Sequence, residues 1–113
     1  MTPVRLAVLL TVGVLALFSI PGTSIPDVDL LTADKIVHAA LFAVLGWAWL
    51  RAFPDRAAWV VAGGLAFAIG TEVWQSALPL GRTGDPADAL ADALGLAVAV
   101  VVWTLRRARA ERA

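Results

Sequence analysis

The chain contains no cysteine and only one histidine, and 16% of its residues are charged. The lack of cysteine excludes disulfides and thiolate metal sites, so any metal ion would have to be bound by carboxylates and one imidazole. Basic and acidic residues balance at nine each, so the chain has no net basic field of the kind that attracts nucleic acid. We therefore expect no nucleic-acid partner, and no cofactor is indicated.

Apolar residues are abundant instead. They make up 60% of the 113 residues, and the mean hydropathy is +0.82. A soluble domain of this size could not bury so much apolar surface in one core. The composition predicts an integral membrane protein, and the length allows a single domain.

Four apolar segments are close to the roughly 20 helical residues that cross a bilayer core. They span residues 4–20, 36–53, 57–78 and 86–105, and prolines stand at or near most of their ends. We predict an all-α fold, a single four-helix transmembrane bundle over residues 1–113. The first segment resembles a signal peptide but is not followed by an A-x-A-like cleavage signal, so a retained helix is favoured.

The distribution of basic residues predicts the orientation. Seven of the nine fall on one side of a four-span arrangement: Arg5, Arg51, Arg56, Arg106, Arg107, Arg109 and Arg112. Lys35 and Arg82 fall on the other side. Because cytoplasmic loops carry the excess of lysine and arginine, both termini are predicted to be cytoplasmic in a multi-pass protein of the cell membrane.

Most acidic residues lie toward the opposite, outer side: Asp27, Asp29, Asp34, Glu72, Asp85, Asp88 and Asp92. Glu72 and Asp92 are each predicted to lie roughly 9 Å below a helix end, at the rise of 1.5 Å per residue. A carboxylate at such a depth is costly to expose to lipid, so both should face the bundle interior. We expect the two to form an interacting acid pair, with His38 as the titratable partner.

Small residues recur at four-residue spacing on two segments. The third segment carries Ala62, Ala66 and Gly70, and the fourth carries Gly95 and Ala99. Such spacing allows helix backbones to approach each other closely in lipid. We interpret both stripes as helix-packing faces.

Three segments together resemble the VanZ-like family of small membrane proteins. They read D-K-I-V-H at residues 34–38, E-V-W-Q at residues 72–75, and G-R-T-G-D-P-A-D-A-L-A-D-A-L-G at residues 81–95. The matching positions are Lys35, His38, Glu72, Gln75, Arg82, Asp88 and Gly95. Asp92 departs from the family pattern, which often has asparagine there, and adds a negative charge to the site.

This resemblance implies a bacterial multi-pass membrane protein that acts on the cell envelope at the outer face. The founding member is associated with resistance to a glycopeptide antibiotic, but the resemblance does not supply a reaction. We take His38, Glu72 and Asp92 as candidate catalytic residues. The candidate ligand-binding residues are Lys35, Arg82, Gln75 and Asp88.

Three functions stay open at this point. The first is a site that binds or acts on a lipid headgroup or a lipid-linked envelope precursor, with a metal site formed by His38, Glu72, Asp88 and Asp92 as a variant. The second is a component of proton- or cation-coupled transport. The third is a non-catalytic scaffold that docks a membrane-protein partner or a second copy of the chain. Whether the protein is an enzyme is left open.

Overall fold

The computed structural model describes residues 1–19, 30–77 and 86–112, with the backbone alone for residues 30–34 and 86. These residues form four helices and no strand: α1 Pro3–Phe18, α2 Leu30–Ala52, α3 Ala57–Ala77 and α4 Pro86–Arg112. The all-α fold with four helices is therefore confirmed.

Three of the helices are long and apolar enough to cross a membrane, namely α2, α3 and α4. α1 is apolar but has 16 residues, which is about 24 Å at 1.5 Å per residue. By length and composition, these three helices are thus candidate membrane spans. Passage of α1 through the bilayer stays a prediction, as does the orientation.

The helices and the apolar segments do not end at the same residues. α2 begins at Leu30 rather than at residue 36, and α4 continues to Arg112 rather than ending at residue 105. The apolar segments mark where a helix can meet lipid. Residues with a high helix propensity, such as alanine, leucine and arginine, can continue the helix beyond that zone. The extra turns of α4 carry Arg109 and Arg112, which suit the negative end of the helix dipole.

α2 is the centre of the bundle and packs most extensively on α4. The two backbones come so close at Gly95 that a β-carbon there would collide with the backbone of Ala39 and lie 3.0 Å from the nitrogen of Ala43. One turn further along α4, Ala99 packs against Gly46, where an added β-carbon would lie 3.1 Å from the Ala99 side chain. The α4 stripe of small residues is thus a packing face.

The corresponding stripe on α3 is different. Ala62, Ala66 and Gly70 are exposed, and an added β-carbon at Gly70 would meet nothing within 4 Å. The close approach expected at these three residues is therefore wrong within this chain. α3 instead turns Ala68, Thr71 and Gln75 toward the bundle, so two of its polar side chains lie on that face.

A small aromatic core joins the helices. Phe18, Phe42, Ala68 and Leu96 are at most 3% exposed and form one cluster with Val14. The ring of Phe42 stacks on Phe18 and lies 5.9 Å from Phe67, measured between centroids. Many large apolar side chains remain exposed on the outside of the bundle, as expected of surfaces that face lipid.

Consecutive helices run in opposite directions, so the bundle has two chemically different ends. At one end lie the end of α1, the beginning of α2, the end of α3 and the beginning of α4. Pairs of basic and acidic side chains join the helices at this end. At the other end, Arg107 donates to the carbonyl of Pro54 at 2.6 Å and Arg106 lies over the ring of Trp47. We call these the polar end and the arginine end.

Candidate functional site

The polar end contains a cluster contributed by three helices. α2 supplies Lys35 and His38, and α4 supplies Asp88 and Asp92. Gln75 from α3 reaches the same end of the bundle through a bond to α1. We call these five residues the polar cluster.

His38 and Asp92 form a deeply buried side-chain pair. Their whole-residue exposures are 3% and 1%, and Nδ1 of His38 lies 2.8 Å from Oδ1 of Asp92. An ionised carboxylate only accepts hydrogen bonds, so beside it the Nδ1 position carries the proton. Asp92 thereby selects the tautomer of the imidazole and holds its orientation.

Phe18 of α1 holds the imidazole from another direction. The rings of Phe18 and His38 are stacked, with centroids 4.4 Å apart and planes 19° from parallel. Stacking and the bond to Asp92 together restrict rotation of the imidazole about its side-chain bonds. The histidine is therefore pre-positioned rather than mobile.

Lys35 and Asp88 form a second pair, nearer to the helix ends. Nζ of Lys35 lies 3.3 Å from Oδ1 of Asp88, and the two side chains are 32% and 11% exposed. Asp88 precedes Asp92 by four residues and Lys35 precedes His38 by three, so both pairs join the same faces of α2 and α4. The two pairs form a ladder, with the more accessible Lys35–Asp88 pair outermost.

Gln75 makes a structural contact. Its side-chain amide donates to the backbone carbonyl of Phe18 at 3.1 Å, and the residue is 4% exposed. The bond fixes the end of α3 against the end of α1. Gln75 thus acts on the cluster through Phe18, whose ring stacks on His38.

Glu72 lies one turn before Gln75 on α3. Its residue is half-buried, and the carboxylate oxygen Oε1 is buried. The acid therefore faces away from lipid, as the cost of burying a charge in hydrocarbon requires. The expected pairing of Glu72 with Asp92 stays a prediction.

Several predicted positions lie outside the described residues. These are Arg82, which was expected to bind ligand, and the acidic residues Asp27, Asp29 and Asp85, which were expected on the outer side. The side chain of Asp34 is likewise not described. In the part of the chain that the structure covers, no group of three or more acidic or histidine side chains is placed to hold a metal ion.

The sequence did not indicate the contribution of α1. Phe18 contacts His38, and Ser19 accepts a hydrogen bond from the indole of Trp74 at 2.8 Å. Both residues close an apolar helix that carries no ionisable side chain near this end, so neither periodicity nor charge marks them. Only the position of α1 against α2 and α3 identifies them.

Comparison with known families agrees with this arrangement. The VanZ/LLP1 family model matches residues 5–107, a range that includes parts of all four helices and every residue of the polar cluster. Searches of curated proteins and of solved structures find no match to the chain. Because the matched range covers most of its length, the chain belongs to the VanZ/LLP1 family.

Proposed function

We propose that the polar cluster binds the phosphate-bearing headgroup of a membrane lipid or of a lipid-linked envelope precursor. The observation that carries the proposal is the ladder of Lys35–Asp88 above His38–Asp92. Its outer cation is one-third exposed, while the inner pair is buried. An amphiphile that enters from the bilayer can place its headgroup at such a site and leave its chain in lipid.

The electrostatics at this end favour an anionic group. α2 and α4 both begin here, and the first turn of a helix carries partial positive charge. The ammonium group of Lys35 is a strong donor to phosphate oxygens. Asp88 holds that group in place until a phosphate takes over as its partner, with the first turn of α4 stabilising the released carboxylate.

The side chains of the inner pair are those of a general base and of the carboxylate that orients it. Asp92 orients the imidazole of His38, in the manner in which a buried carboxylate orients a catalytic histidine. A bound headgroup would lie on the side of Lys35, within one helical turn of that histidine. Action on the headgroup, rather than binding alone, extends the same proposal. A role in the bacterial cell envelope or in glycopeptide resistance rests on the family resemblance alone.

A non-catalytic scaffold is the second candidate function. His38 and Asp92 lie one turn from the closest approach of α2 and α4 at Ala39 and Gly95. A buried polar pair at such a crossing can fix helix register without binding anything. The exposed α3 stripe would then face a partner or a second copy of the chain.

A transport role has less support. From Ala57 to Gly70, α3 carries no ionisable residue, so no chain of proton-binding groups continues along it from the polar end. Intramembrane relays require such a chain of acidic or histidine side chains. Liposome flux that is lost in Glu72→Gln would nevertheless support transport.

Binding of a labelled polyprenyl phosphate to the full chain in phosphatidylcholine nanodiscs tests the proposal. We expect saturable binding that the uncharged polyprenol does not compete for. Lys35→Gln should weaken binding about tenfold, the equivalent of one charge-assisted hydrogen bond. Arg109→Gln is the matched control, because it removes one exposed charge at the opposite end and should leave binding unchanged.

Two outcomes would contradict the proposal. The first is equal binding of the phosphate and the alcohol, because the headgroup would then contribute nothing. The second is equal affinity in wild type and Lys35→Gln. The scaffold is supported instead if the wild type shows no binding and His38→Gln and Asp92→Asn each lower the thermal stability.

A further inference from the structure

The arginine end contains a second polar feature, which the polar cluster does not involve. A cleft of about 530 Å³ opens between the ends of α2 and α4. The residues that line it include two tryptophans and three arginines, namely Trp47, Trp103, Arg51, Arg106 and Arg107. It lies at the opposite end of the bundle from His38, so it is a separate site.

The three arginines are held differently. Arg107 donates to the carbonyl of Pro54 and lies 3.3 Å from a carboxylate oxygen of Asp55. Arg106 lies over the ring of Trp47, with 5.4 Å from its central carbon to the ring centroid. Cation–π contact of this kind orients a guanidinium while leaving its N–H groups able to donate.

Arg51 and Arg106 are exposed, and neither forms an ion pair within the part of the chain that the structure describes. Two guanidinium groups from different helices thus line one cleft without carboxylates to neutralise them. Arginine is suited to such a position because its planar N–H groups match phosphate oxygens in pairs.

Trp103 adds a buried donor. Its indole nitrogen Nε1 is buried and has no hydrogen-bond partner among residues 1–19, 30–77 and 86–112. The ring packs edge-on against Trp47, with centroids 5.1 Å apart. A buried N–H without an acceptor is unfavourable, so a rotation of the ring that presents it to an acceptor of a ligand in the cleft would be favoured.

We propose that this cleft binds the phosphodiester headgroup of an anionic glycerophospholipid from the adjacent leaflet. The rule that arginines accumulate at the cytoplasmic surface explains the presence of the charges but not their convergence on two tryptophans. Arg109 and Arg112 satisfy that general rule on the same helix while standing outside the cleft. Tryptophan side chains favour this depth, where the apolar ring meets lipid and the N–H meets a headgroup.

The test measures binding of phosphatidylglycerol to the detergent-solubilised full chain by native mass spectrometry and titration. Phosphatidylcholine and inorganic phosphate are the comparison ligands. We expect phosphatidylglycerol to bind at least about tenfold more tightly than phosphatidylcholine, because the guanidinium groups attract its net negative charge. Inorganic phosphate, which lacks the glycerol and acyl chains, should not compete at equal concentration.

Two double variants with the same loss of charge separate the cleft from the general basic surface. Arg51→Gln with Arg106→Gln should weaken phosphatidylglycerol binding about tenfold or more. Arg109→Gln with Arg112→Gln should change it less than about twofold, because those side chains do not line the cleft.

Trp103→Phe keeps an aromatic ring and removes only the N–H donor, and it should weaken binding about threefold to tenfold. This variant still tests the proposal if the arginine double variant fails to fold. Equal weakening by the two double variants would show that diffuse charge binds the lipid and would overturn the proposal. Unchanged binding in Trp103→Phe together with equal affinity for the two phospholipids would do the same.

Discussion

The imidazole of His38 meets the carboxylate of Asp92 across the interface of α2 and α4, with 2.8 Å between nitrogen and oxygen. Both residues are almost inaccessible, and Gly95 allows the two helices to touch just beyond them. A polar pair and a close backbone contact therefore occupy neighbouring turns of one interface. The polar pair and the backbone contact are separate features of this interface, and each can be tested by substitution.

The His38–Asp92 pair should contribute strongly to stability. Asp92→Ala removes the acceptor and is expected to lower the free energy of unfolding by about 1–3 kcal/mol, because the buried Nδ1–H of His38 loses that partner. Asp92→Asn retains an acceptor oxygen and should cost roughly half as much, since hydrogen bonds to neutral groups are weaker. Denaturant unfolding in micelles measures both. Equal costs for the two substitutions would show that the charge is irrelevant.

Gly95 should tolerate no side chain. Gly95→Ala places a methyl group against the backbone of Ala39 and should destabilise the bundle by about 1–3 kcal/mol, because neither backbone can yield easily. Gly70→Ala is the matched control. It adds the same methyl group on α3, where nothing lies within 4 Å, and should stabilise the helix by about 0.5–1 kcal/mol. The thermal midpoints of the two variants should move in opposite directions, and a common direction would contradict this packing.

The amide of Gln75 should tie α3 to α1. Gln75→Leu removes the bond to the Phe18 carbonyl and is expected to cost about 0.6–1.7 kcal/mol, between the average and the maximum found for hydrogen bonds between membrane helices. Ser76→Ala is the control, because that hydroxyl is exposed and its one hydrogen bond among the described residues is to the carbonyl of Glu72 in its own helix. Unfolding in micelles compares the two. Similar costs would mean that the bond between helices adds nothing.

The two ends of the bundle should face opposite sides of the membrane. Since the chain has no cysteine, single-cysteine variants report accessibility without background. Glu111→Cys, near the arginine end, should react with a membrane-impermeant maleimide only in inverted vesicles, because arginine-rich ends stay in the cytoplasm. Ser76→Cys, at the polar end, should react only in intact spheroplasts. Reaction of both from the same side would exclude the predicted orientation.

Composition and segment length were sufficient for the presence of four helices, though not for all of their ends, and depth and small-residue spacing were sufficient for the inward positions of Asp92, Gly95 and Ala99 on α4. Asp88, Asp92, Gly95 and Ala99 recur along one face, and all four are buried. The reason is general, because carboxylates are expelled from lipid and small residues permit close helix contact. Only the expulsion of carboxylates is independent of which neighbour is met, so a single helix reveals that effect, whereas a stripe of small residues can also face outward, as on α3.

The sequence alone could not show which of two similar helix surfaces lies in an interface, or which residues meet there. Only the packed bundle shows both. The stripes at Gly70 and Gly95 have the same small-residue spacing, yet only Gly95 lies in an interface. Phe18 becomes part of the site because α1 packs beside His38, and nothing in an apolar helix marks one phenylalanine among its neighbours. Such selections depend on the distance and angle between helices, which arise from all contacts together and leave no local pattern in the chain.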